Sequence, residues 1–321
     1  MFNVPTGVSM DPAGCIYIAD SLNNAIRFFN VAGNRNVTTI AGGGSDGSTS
    51  GFLNAVGSNA LFYEPTSVAC DGTDFAGTSA GFKYGLYVAD RRNHRVRYVA
   101  PNTRAVTTLA GSSAGYANGL GTSALLQEPT GVALDTVSNP VRLFVADFIN
   151  NAIRAVGTVS PYAVTTLAGG GPGAAGWLDG TGTSAKFFSP HGIAVLPSGA
   201  IVLVADMRNN MVRAINISSE EVSTLAGGNT AGGNLVDDVG TNAAFNYPQG
   251  VAVDRFGYVL VADTFNNAIR VINPNLSTST LAGSSGTQGN SDGTAGELWE
   301  PKGVVADVDG GAYVADSMCV R

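Results

Sequence analysis

Gly77-Thr78-Ser79-Ala80-Gly81 and Gly111-Ser112-Ser113-Ala114-Gly115 have the Gly-x-Ser-x-Gly spacing that raises a serine nucleophile on a strand-to-helix turn. Gly171-Pro172-Gly173-Ala174-Ala175-Gly176 matches the glycine fingerprint that lets backbone approach a pyrophosphate. Asp307-Val308-Asp309-Gly310 opens like a calcium loop. None has the surroundings its chemistry needs. No helix pattern follows either serine, no helix N-terminus follows the glycines, and the calcium loop lacks its remaining ligands and distal Glu. In a chain with 43 Gly such matches arise by chance, and the Asp307 segment reads as a hairpin turn. Cys15, Cys70 and Cys319 are an odd number at wide spacing, so they read as small buried hydrophobes rather than a disulfide framework or zinc ribbon. We assign no catalytic residue, metal or cofactor from these segments.

The positions that recur in register lie elsewhere. Pro5, Pro65, Pro129, Pro190, Pro248 and Pro301 each open a Pro-x-Gly-Val-x-x-Asp segment or a close variant. An apolar run ending in Ala-Asp follows, closing at Asp20, Asp90, Asp147, Asp206, Asp263 and Asp316. Next comes Asn23-Asn24-Ala25-Ile26-Arg27 or a relative, placing Arg27, Arg97, Arg154, Arg213 and Arg270 in register, with Arg321 at the sixth position. A fourth run, as in Val37-Thr38-Thr39-Ile40-Ala41-Gly42, closes the first five units. Short runs rich in Val, Ile, Thr and Tyr, separated by Gly, Asn, Asp and Pro, are strands and turns. Six units of about 53 residues, four strands each, predict an all-β, six-bladed β-propeller of antiparallel blades.

These motifs, Pro-x-Gly-Val-Ala-x-Asp, Tyr-Val-Ala-Asp, Asn-Asn-x-Ile-Arg and Val-Thr-Thr-Leu-Ala-Gly, resemble the NHL repeat across essentially residues 1–321, read as one domain. The patterned connectors, such as Asp179 to Pro190, are similar to an extended-loop type of that repeat and read as ordered loops. The resemblance implies a fold that serves lyases, RNA binders, sensors and scaffolds alike. Amidating lyases of this fold hold zinc with several histidines; with His94 and His191 as its whole complement, this chain has no such site. The sixth unit has no fourth run, so the last blade is expected to be incomplete. Either the chain is part of a longer polypeptide or a partner strand completes that blade.

A residue present in every blade most simply serves the blade. The six Asp and six Arg therefore read as a structural ring of charge-assisted hydrogen bonds. Positions that vary between blades are free to serve a ligand. After the opening Pro stand Thr6, Thr66, Thr130, His191, Gln249 and Lys302; after Ala-Asp stand Ser21-Leu22, Arg91-Arg92, Phe148-Ile149, Met207-Arg208, Thr264-Phe265 and Ser317-Met318. Propeller topology puts both sets on one face. Arg91, Arg92, His94, Phe148, His191, Arg208, Phe265 and Lys302 form the candidate binding face, suited to a protein or acidic glycan partner. The function expected is a noncatalytic interaction or scaffold module, the alternative a lyase or hydrolase acting at the channel mouth.

A formal charge of -7 argues against DNA and makes RNA a weak expectation. The longest apolar runs, such as Ile201 to Ala205, are too short for membrane insertion. The opening residues Met1-Phe2-Asn3-Val4-Pro5 do not read as a secretory signal. Asn36, Asn216 and Asn275 are glycosylation acceptor patterns on the face opposite the candidate site. With the low charge, they favour an extracellular or cell-surface setting over the cytoplasm.

Overall fold

The computed structural model describes residues 1–31, 35–72, 84–138, 140–171, 173–228, 234–284, 288–289, 291, 296–307, 309–317 and 319–321. The Gly77–Gly81 match, Pro172, Val308 and Met318 lie outside them.

Six antiparallel sheets surround a central channel lined by the first strand of each. Blade one consists of Pro5–Met10, Ile16–Asp20, Ala25–Phe29 and Val37–Gly42 in sequence order from the axis outward. The second strands are mostly buried, Ile16–Asp20, Leu86–Asp90 and Val259–Asp263 at every position. They are sandwiched between neighbouring blades, which explains their continuous apolar runs where a sheet with one wet face would alternate. The cores accordingly lie between blades. Tyr17, Phe28 and Phe62 pack with Val68 and Val88 between blades one and two, and Phe144 and Phe187 with Val202 and Val204 between three and four.

Glycine sets how closely the first strands converge. A Cβ on Gly192 would lie 2.2 Å from the Gln249 carbonyl oxygen of the next blade, and one on Gly303 2.2 Å from the carbonyl oxygen of Thr6. The second contact sets blade six directly against blade one. Blade six has three strands, Gly303–Ala306, Ala312–Asp316 and Cys319–Val320.

The connectors add more than the four-run pattern predicts. Gly119–Leu120 pairs with the outer strand Ala163–Gly169 of blade three, and Gly180–Thr181 with Glu221–Gly227 of blade four, giving five-stranded sheets. Isolated bridges Val56 to Ala105 and Val239 to Ser277 do the same in blades two and five. The connectors into blades two to five thus each cover the outer edge of the blade they lead into, satisfying backbone groups that an open edge would expose. No described helix is long and apolar enough to cross a membrane.

Candidate functional site

The recurring Asp and Arg bind connector to blade. In blade three, Asp147 Oδ1 accepts the Gln127 N–H at 2.7 Å, and Oδ2 accepts from Asn150 Nδ2 and Arg154 Nη1, both at 2.8 Å. Arg154 also donates to the carbonyls of Leu125 and Ala117 and to Asn118 Oδ1, with its guanidinium 4.9 Å from the Tyr116 ring centroid. Asp90–Arg97, Asp206–Arg213 and Asp263–Arg270 repeat the pair at 2.6, 2.9 and 2.8 Å. Asp20–Arg27 and Asp316–Arg321 are looser, at 3.9 and 3.4 Å. Burial pushes the Asp147 and Asp206 carboxyls up to about 6, against the amide, N–H and guanidinium donors that favour the anion. None of the twelve residues lines the channel mouth.

A second device joins consecutive blades. The residue before each opening Pro has a positive φ, from 46° at Glu300 to 54° at Ser189, against the usual extended preference at that position. In five cases its N–H is accepted by the left-handed residue after strand two of the preceding blade. Asn24, Asn151, Asn210 and Asn267 accept through Oδ1 from Glu64, Ser189, Tyr247 and Glu300, and His94 accepts through Nδ1 from Glu128 at 3.1 Å. His94 thus occupies an inter-blade joint, away from the mouth.

At the mouth a cavity of about 300 Å³ is lined by Thr6, Thr66, Thr130, His191, Gln249 and Lys302, with Val4, Ser21, Leu22, Glu64, Arg91, Phe148 and Met207 above them. Its two halves differ. Thr6, Thr66 and Thr130 donate their hydroxyls to the carbonyls of Thr66, Thr130 and His191, at 2.9, 2.9 and 3.1 Å. Those protons hold blade to blade. His191 Nδ1 lies 3.3 Å from the Gln249 carbonyl oxygen, which can only accept, so Nδ1 carries the proton and Nε2 a lone pair. Burial first, then Arg91 and Lys302, lowers the His191 pKa to about 4, so the ring is neutral at pH 7. The Gln249 side-chain amide has no protein partner among the described residues. Lys302 Nζ donates to Ser317 Oγ at 3.2 Å and stands 3.7 Å from Glu300.

Arg91 and Arg92 are not open cations. Glu128 accepts from both at 2.7 Å, and Glu64 lies 3.0 Å from Arg92 and 3.5 Å from Arg91. Phe148 meets His191 edge-on at 6.1 Å and lies under Arg91 at 5.8 Å. Of the eight candidates, Arg91, Phe148, His191 and Lys302 come together on the cavity. Arg208 covers Phe188 at 5.2 Å and Phe265 stacks on Tyr247 at 4.9 Å, both outside the lining, as is Arg92. Leu22, on the cavity, is exposed, as are Ile149 and Phe265 just after strand two of their blades and Tyr63 and Trp299 just before strand one of theirs. Sequence reasoning missed the roles of Glu64 and Glu128; their Glu-Pro-Thr setting was the available signal.

On the opposite face Asn36 and Asn275 are exposed and Asn216 half-buried. Cys15 is buried and Cys70 and Cys319 half-buried, all three as free thiols. Asp307 and Gly310 close the turn between the first two strands of blade six. No group of three or more His, Cys, Asp or Glu among the described residues is placed to hold a metal.

This architecture defines a six-bladed β-propeller whose repeated polar ring secures the connectors around a variable mouth. No family model matches the chain. NHL repeat-containing protein 2 of Homo sapiens is 28% identical over 293 residues, 84% of this chain and 39% of that protein. Protein SUPPRESSOR OF QUENCHING 1, chloroplastic, of Arabidopsis thaliana is 30% identical over 249 residues, 72% of this chain and 23% of that protein. The chain thus spans well under half the length of these relatives. Among solved structures, an auxiliary nutrient binding protein from Bacteroides thetaiotaomicron superposes with a TM-score of 0.68 at 15% identity, covering 98% of this chain and 67% of that one. A streptogramin B lyase does so at 0.57 and 10% identity, over 99% and 92%. The chain is an NHL-repeat β-propeller.

Proposed function

We propose that this propeller is a noncatalytic interaction module that takes its partner at the channel mouth. One observation carries the reading: Leu22 is exposed on a cavity of about 300 Å³, and Tyr63, Ile149, Phe265 and Trp299 are exposed in the segments just before strand one or just after strand two of their blades, the end of the propeller where that cavity lies. Apolar and aromatic side chains around a recess are the usual anchors of a binding surface. Among the described residues, the pairing of Arg91 and Arg92 with Glu64 and Glu128 removes the most basic part of a positive face, which weighs against RNA. The test is affinity capture with the chain and its Leu22→Ser/Phe265→Ser variant from the same native extract. A species retained by the first and lost by the second, with equal melting of both, supports the reading. Equal capture by both overturns it.

One observation favours an enzyme instead. A neutral imidazole with its Nε2 lone pair at a cavity is what a general base requires, and His191 meets that description. Turnover of a bound ligand, abolished in His191→Gln, would replace the first reading.

A further inference from the structure

The polar half of the mouth cavity has a hydrogen-bonding inventory specific enough to name a ligand class. On blades one to three the three threonine hydroxyl protons are engaged by backbone carbonyls, so that arc offers little to a ligand. On blades four to six the groups remain available. Lys302 has one N–H directed at Ser317 and a carboxylate at 3.7 Å, leaving donor capacity on its ammonium. The Gln249 amide is unpartnered among the described residues. His191 holds an acceptor at Nε2, because Nδ1 is tied to the Gln249 carbonyl.

We propose that the cavity binds a hydroxylated carboxylate of sugar-acid size, its carboxylate on Lys302 and Gln249 and one of its hydroxyls donating to His191 Nε2. This rests on the reading of the mouth as a binding site. The chemistry follows from what each group can and cannot do. An ammonium and a primary amide donate to a carboxylate at adjacent positions, and a neutral imidazole nitrogen requires a donor, which a hydroxyl supplies and a second carboxylate does not. An amino acid fits less well, since its ammonium would stand near Lys302, and the carboxylate among the described lining residues, Glu64, is tied to Arg91 and Arg92. Phe148 and Met207 supply apolar surface for the carbon skeleton. About 300 Å³ corresponds to roughly ten waters at about 30 Å³ each, or about a dozen ligand heavy atoms.

The test is isothermal titration of the intact chain at pH 7 with D-glucuronate, D-glucose and propionate, which carry both features, the hydroxyls alone and the carboxylate alone. Glucuronate should bind at least tenfold tighter than either of the others. Lys302→Gln should reduce it to the level of glucose, and Gln249→Met, which keeps side-chain length and removes the amide, should weaken it severalfold, with both variants folded by circular dichroism. Glucose binding as tightly as glucuronate, no glucuronate binding, or an affinity untouched by both variants overturns the assignment. A glucuronate-terminated oligosaccharide binding more tightly than the free acid would make a glycan end the source, and equal affinity would make the free acid sufficient; both support the class. The capture experiment reports separately. A partner lost in Leu22→Ser/Phe265→Ser while glucuronate fails to bind removes the ligand class and leaves the interaction reading standing. Glucuronate binding with capture unchanged keeps the cavity and removes the rim.

Discussion

Arg154 reaches Asp147 at 2.8 Å with both side chains fully buried, and the same guanidinium leaves the blade to hold the carbonyls of Leu125 and Ala117. One ion pair therefore fixes both a strand end and the connector that precedes it.

Removing the acid leaves a buried cation and strands the Gln127 N–H and one N–H of the Asn150 amide, whose other N–H stays on the Gly115 carbonyl. Asp147→Ala should cost about 3 to 5 kcal/mol. Glu128→Gln, at the partly exposed pairs with Arg91 and Arg92, should cost at most about 1 kcal/mol and less at high salt. Denaturant midpoints at two ionic strengths check both; similar losses would show that burial does not separate the two sets.

His94→Asn should melt at or above the wild-type temperature. Position 94 has a φ of 56°, which Asn tolerates better than most residues, and Asn accepts the equivalent N–H in four other blades. His94→Ala, which leaves the Glu128 N–H without its acceptor, should lose about 1 to 3 kcal/mol. Calorimetry of the two variants distinguishes a joint from a ligand contact.

Gly192→Ala should destabilise by more than about 3 kcal/mol, because its Cβ would meet a backbone oxygen at 2.2 Å that cannot retreat without parting two blades. Gly14→Ala, at a φ of 80° with open space around it, should cost about 1 kcal/mol. Parallel thermal melts measure the difference.

His191 ties stability to pH. Its folded pKa of about 4 lies below the ordinary value of 6.5, so between the two the unfolded chain binds the extra proton. Its contribution is complete above about 6.5 and is lost as pH falls toward about 4. Buried Asp147 and Asp206, raised to about 6, act in the opposite sense over part of that range. The comparison must therefore be made against His191→Gln, which should lose less stability than the wild type between pH 6.5 and 4 in urea melts.

The blade count and the four main strands of each of the first five blades were legible because the signals repeat: Pro before strand one, Ala-Asp after strand two, Asn-x-x-x-Arg into strand three; the short connector strands, which carry no such signal, were not. The face shared by Phe148, His191 and Lys302 was legible from topology alone. Partners were not. Arg91 and Arg92 read as free anchors because nothing local shows that Glu64 and Glu128 reach them from two other connectors, 27 to 37 positions away. His94 read as part of the binding face because its joint with the N–H of Glu128, 34 positions on, leaves no local sign. The threonines read as variable mouth residues, yet their hydroxyls are inter-blade ties, a fact set by the pitch between neighbouring strands and absent from any one repeat.

The edge coverings have a consequence for how the molecule is made. Gly119–Leu120 and Gly180–Thr181 precede in sequence the outer strands on which they lie. During synthesis from the N-terminus, each covering segment is complete while its own blade is still emerging. The last strand of that blade must then enter between the third strand and a segment already waiting. In blades two to five the outer edge is covered by chain that precedes it in sequence, so a chain ending just short of one of those outer strands would leave two unsatisfied edges instead of one.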